Sequence, residues 1–129
     1  MNHFKELRVW QKSVDVAADI YSVVNQFPAE EKYGLSSQIT RSAVAISLNI
    51  AEGAGRNAEK DFHHFLGIAL GSAYELETQL IIGHRILYID KNVFEDVSKN
   101  IHEIQRMIFS LQKTLRTTKD QRPDTKDNK

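Results

Sequence analysis

The chain has 129 residues, 41% of them hydrophobic and 26% charged, with two prolines and no cysteine. This suits one folded domain with a real core, and the missing cysteines exclude disulfides and thiolate metal sites, in keeping with a cytoplasmic setting. Seventeen basic against seventeen acidic residues give zero formal net charge, which removes the overall basic excess of a dedicated nucleic-acid binder and leaves only an uneven distribution of charge to serve that role.

The first patterned segment spans roughly residues 5–27. Leu7, Trp10, Val14, Ala17, Tyr21 and Val24 recur at spacings of three and four, and a second stripe of Val9, Val16, Ile20, Val23 and Phe27 lies beside them. Together they predict a helix with an apolar face wide enough for two neighbours. Pro28 ends it, because the residue before proline is pushed out of the helical region.

A second helix is predicted over about residues 33–53, with Leu35, Ile39, Ala43, Ile46 and Ile50 as its core stripe. Gly53 and Gly55 are expected to stop it in the left-handed conformation. The third and longest segment covers about residues 58–88, capped by Asn57, with Phe62, Phe65, Leu66, Ala69, Ala73, Leu76, Leu80 and Leu87 on its buried face. Gly67 and Gly71 lie one turn apart in it and each cost about 1 kcal/mol relative to alanine, so close packing against another backbone is the expected compensation.

The fourth helix is expected over about residues 93–115. Asn92 and Glu95 suggest a capping box, and Phe94, Val97, Ile101, Ile104, Ile108, Leu111 and Leu115 alternate by three and four. Strand patterns are absent. The most apolar run, residues 43–51, contains Ser47 and Asn49 and falls far short of the ~20 residues of a membrane span; residues 1–6 have no apolar signal core. Short links between long helices predict an all-α, antiparallel, up-down-up-down four-helix bundle over residues 1–116, followed by a polar, disordered tail at 117–129.

Little in this pattern supports catalysis. A di-metal carboxylate bundle needs inward glutamates and paired Glu-x-x-His motifs, whereas the nearest approach is a single Asp61-Phe62-His63-His64, and Glu75 and Glu77 point about 200° apart on their helix. The serines lack a strand-turn-helix elbow, and Gly53-Ala54-Gly55 lacks the strand and lysine of a phosphate loop. No catalytic residue, cofactor or metal is assigned. Arg41, Asn49 and Glu52 on the second helix and Ser72, Glu75 and Glu77 on the third are expected to form a polar network between the two, with a binding groove as the alternative.

Charge is expected to be uneven. One end of such a bundle gathers Lys5, Arg8, Lys12, Arg56, Lys60, Arg106, Lys113 and Arg116, with His63 and His64, against Glu6, Glu52, Glu59 and Asp61. The other end carries Glu30, Glu31, Asp90, Glu95 and Asp96 against Lys32, Arg85 and Lys91. The first end is the candidate anion-facing surface.

An ordered run of motifs goes further. Phe4-x-x-Leu7-x-Val9-Trp10 is followed by Phe27-Pro28-x-x-Glu31-x-Tyr33-Gly34-Leu35 and Gln38-Ile39-x-Arg41-Ser42-Ala43. Then come Asn49-Ile50-Ala51-Glu52-Gly53, Gly55-Arg56 and Ala69-x-Gly71-Ser72-x-x-Glu75-Leu76-Glu77-Thr78. Over residues 4–116 the chain resembles the bacterial four-helix-bundle proteins of the 23S ribosomal RNA intervening-sequence family, with Ser42 where the family more often has alanine. More distantly it is similar to the accessory protein of diversity-generating retroelements, which is associated with reverse transcriptase and nucleic acid. The resemblance implies a left-handed up-and-down bundle, often a homopentamer, linked to genes inside ribosomal RNA operons, and it brings no catalytic residues. The reading that follows is a non-enzymatic, oligomeric accessory module that binds nucleic acid, RNA or DNA with RNA the leading choice, through its basic end. The alternatives are a protein–protein scaffold using Ile68, Ile82, Ile86, Met107 and Phe109, and, as an outsider, a metal-dependent enzyme.

Overall fold

Four helices account for the architecture: α1 (Arg8–Val24), α2 (Leu35–Ala54), α3 (Glu59–Arg85) and α4 (Lys91–Asp120). The structure, a computed structural model, describes residues 3–120, and side chains as far as residue 115; no strand occurs among the described residues. Two 3-10 turns, Phe4–Glu6 and Ala29–Glu31, precede α1 and α2. The chain is therefore an all-α four-helix bundle. The last helix runs on past Leu115, and residues 121–129 of the expected tail lie outside the described residues.

Each helix packs on two others, in the cyclic order α1–α2–α3–α4. Contacts at several levels give the directions. The end of α2 meets the start of α3, where a β-carbon on Gly53 would lie 2.7 Å from Phe65 Cβ. In α3, Gly67 faces Gln112 toward the end of α4, whereas Glu77, ten residues on, meets His102 and Gln105 nearer its start. Leu7 and Leu111 share one groove between α1 and α4, while Asp19 and Asp96 share another. Neighbours in each of these pairs run antiparallel.

The core is the inner stripe of each helix: Val9, Val16 and Ile20; Ile39, Ala43, Ile46 and Ile50; Leu66, Ala69, Ala73, Leu76 and Leu80; Val97, Ile101, Ile104 and Ile108. On α1 this is the second of the two predicted stripes, completed by buried Ser13, whose Oγ–H donates to the Val9 carbonyl at 2.7 Å. The first stripe is not core. Val14 and Tyr21 are exposed, and Leu7, Trp10, Ala17 and Val24 pack half-buried at its edge. A helix with neighbours on two sides of one face buries a single ~100° stripe, and the adjacent stripe is left at the seam.

Several predicted ends are corrected. No described glycine has a positive φ: Gly55 follows α2 at φ −77°, and Gly53 lies inside it. Ala58, not Asn57, precedes α3, without a side-chain cap. Asp90 replaces the expected Asn92, its Oδ1 accepting from the Val93 N–H at 2.9 Å. The helix α3 stops at Arg85, and Leu87 adopts the left-handed conformation at φ 70° with 89% of its surface exposed, so it leaves the buried face on which the periodicity placed it.

The end bearing the α1–α2 and α3–α4 connections is tied by one carboxylate. Glu31 accepts from the Leu35 N–H at 3.1 Å through Oε1 and from the Tyr88 hydroxyl at 2.9 Å through Oε2. Gly34 leaves room for it, since a β-carbon there would stand 2.9 Å from Oε1. Phe27 packs on the Tyr88 ring at 5.1 Å, and Gly83 admits the Ile89 side chain from the other side.

Candidate nucleic-acid interface

Arg8 leaves the first turn of α1 and Arg106 leaves α4, and both line a groove between the two helices floored by Leu7, Val9, Met107 and Leu111. Ser110 and Thr114 add hydroxyls to its wall. Glu103 stands among the cations. Lys12 Nζ donates to its Oε1 at 3.0 Å and to Asn100 Oδ1 at 3.3 Å. This hydrogen bond, together with the charges of Lys12, Arg106 and Arg8, holds the Glu103 carboxyl below the usual carboxylate range, against a smaller opposing effect of burial. Three cations thus face one carboxylate, and Arg8 and Arg106 are the two exposed ones.

The other predicted cations are dispersed. Arg56 is held by Glu52, one turn back, with two N–H groups at 2.8 and 3.2 Å from Oε2, and its guanidinium lies 4.9 Å from the Phe65 ring centre. Lys60 is exposed at the start of α3. Lys113 follows Arg106 by two turns of α4 but does not line the groove, its Nζ lying 6.0 Å from the Phe109 ring centre. Lys5 is exposed beside α1, its carbonyl accepting from Gln11 Nε2 at 2.8 Å. Arg116 falls outside the residues whose side chains are described. The structure therefore brings Arg8, Lys12 and Arg106 together and does not bring Arg56, Lys60 or Lys113 to them.

Among the described residues, no hydrogen bond or ion pair joins any of the six residues expected to link α2 and α3 to another of the six. Asn49 donates to Ala45 O on its own helix at 2.8 Å, and Glu52 is taken by Arg56. Glu77 turns to α4, accepting from Gln105 Nε2 and His102 Nε2, each at 2.8 Å. Those hydrogen bonds, Gln105 first and His102 second, lower the Glu77 pKa, with burial opposing. Ser72 is buried, while Arg41 and Glu75 are exposed and unpaired among the described residues. An unpaired charge in water costs little, whereas a bridge would restrict two long side chains for a gain of ~0–1 kcal/mol.

Sequence reasoning missed Glu103 as the centre of the cationic groove and Glu77–His102–Gln105 as a link between α3 and α4. Both join residues on separate helices, so no local spacing announces them. Among the described residues, no three His, Asp or Glu side chains come together as metal ligands, and no helix is long and apolar enough to cross a membrane.

A family model described as 23S rRNA-intervening sequence protein matches residues 5–110. Among solved structures, the chain is similar to a protein of unknown function from the S23 ribosomal protein family of Bacteroides thetaiotaomicron. The two are 32% identical, with a TM-score of 0.73 over 81% of this chain and 98% of that one. The comparison with curated proteins found no match.

Proposed function

Since the chain belongs to the 23S rRNA-intervening sequence protein family, we propose that it is a non-enzymatic, oligomeric module that binds RNA through the cationic groove between α1 and α4. The observation that carries this reading is the convergence of Arg8, Lys12 and Arg106 on the single carboxylate of Glu103. A phosphate could take bidentate hydrogen bonds from either exposed guanidinium, with the Ser110 hydroxyl nearby as a further donor. Zero net charge and the lack of an aromatic platform beside these cations suit contact with the backbone of structured RNA more than the reading of splayed bases. Such a role belongs in the cytoplasm, where ribosomal RNA resides.

The test is fluorescence anisotropy with labelled structured RNA, single-stranded RNA and duplex DNA across a salt series. Binding to structured RNA should weaken steeply with salt. The pair Arg8→Ala/Arg106→Ala should weaken it at least ~10-fold and reduce the logarithmic salt slope by about 2, while Lys60→Ala changes little. No binding at low salt would sink the proposal. It would favour the alternative of a protein–protein scaffold, for which the exposed Val14, Tyr21, Leu48, Ile82 and Phe109 speak.

A further inference from the structure

Gly71 sits inside α3 on the exposed side, and a β-carbon built there would meet nothing within 4 Å. The close approach expected at this glycine is therefore absent within the chain, and the cost of glycine in an exposed helix interior goes uncompensated. Gly71 lines a cleft between α2 and α3 that also carries Arg41, Tyr74, Glu75 and Gln79. Arg41 and Glu75 border the same cleft with opposite charges, yet pair neither with each other nor with any other described residue. Gln79 Oε1 is buried and has no hydrogen-bond partner among the described residues, an unfavourable state for an acceptor. Apolar surface flanks the cleft on the α3 side, where Tyr74 is 52% and Ile68 40% exposed.

Building on the oligomeric part of the proposed function, we infer that this seam is where a second copy of the chain docks, the α2 edge of one copy meeting the α3 edge of the other with Gly71 at the closest approach. Three features select that occupant. The missing side chain lets a neighbouring backbone come close. Free charges of both signs are complementary to a copy that presents the same pair, Arg41 of one facing Glu75 of the next. The α3 flank is apolar rather than cationic and Glu75 stands in the cleft, which disfavours a nucleic acid and suits a protein surface.

Light scattering and sedimentation velocity on the full chain test this, with circular dichroism as the check on folding. The wild type should have a multiple of the monomer mass. Gly71→Leu, which has open space to fill within the chain, should retain its helicity and fall to the monomer mass. Arg41→Glu and Glu75→Arg should each weaken assembly at least ~10-fold, and the double reversal should recover most of that loss. A wild-type oligomer that survives Gly71→Leu and both single reversals would overturn the seam and leave the oligomeric reading standing. A monomeric wild type would overturn both.

Discussion

Gly53 and Gly71 are alike in type and opposite in surroundings. Gly53 is buried where α2 crosses α3, with Phe65 Cβ 2.7 Å and Phe62 Cδ1 3.1 Å from where a methyl group would stand. Phe65 Cβ is fixed to backbone and cannot swing aside, so Gly53→Ala should separate the helices and cost about 1–3 kcal/mol in urea unfolding. Gly71→Ala meets open space and should instead stabilise dilute protein by up to about 1 kcal/mol. The same two substitutions thus separate a packing glycine from one that nothing within the chain requires. Glu31 is the third telling residue. It caps α2 and binds Tyr88 with its two oxygens, so Glu31→Ala should cost about 1 kcal/mol from the lost cap, read in the same experiment. These contacts explain why Phe27, Glu31, Gly34 and Leu35 occur together as a motif: they build one joint, and Gly34 serves it by yielding space.

At the scale of elements, helix type and number were legible in the sequence because the inner stripes of α2, α3 and α4 repeat at spacings of three and four without competition. On α1 two apolar stripes lie side by side, and periodicity cannot say which one faces the core; Ser13 on the inner stripe and Tyr21 on the outer one pointed the wrong way. Helix ends were less legible because capping depends on which carboxylate reaches back, as Asp90 and Glu31 do, and Leu87 breaks the pattern by a backbone flip that hydrophobicity does not encode. The cationic groove was half legible: the sequence placed Arg8, Lys12 and Arg106 at one end of the bundle, but the ion pair that holds Arg56 and the seat of Lys113 over the Phe109 ring are set by side-chain partners. The pairing of α3 with α4 has a pH signature of its own. The Glu77 pKa is lowered in the folded chain, so its contribution to stability is fully present above the unfolded-state pKa and is lost as pH falls through the folded one. Urea midpoints should therefore drop as pH falls below the ordinary glutamate value of 4.5, and Glu77→Gln should reduce that dependence to the part owed to Glu103, because the amide oxygen can still accept from Gln105 without titrating.

At the scale of the whole molecule, one surface is cationic and another is mixed, and the two are separate. The groove of Arg8 and Arg106 lies between α1 and α4, and the cleft of Arg41 and Glu75 between α2 and α3. A protein that assembled through the second would keep the first open to an RNA. Binding and mass should accordingly respond to different substitutions.

The joint at Glu31 and Tyr88 also has a mechanical meaning. The start of α1 and residue 114 of α4 line the same groove, so a load applied between them in an optical trap would peel α1 from α4 beginning at that end. The opening would travel toward the far end, where Tyr88 ties the α3–α4 connection to Glu31 in the α1–α2 connection. Extension should pause there before the rest of the bundle gives way, and Tyr88→Phe should shorten the pause while leaving the force of the first opening unchanged.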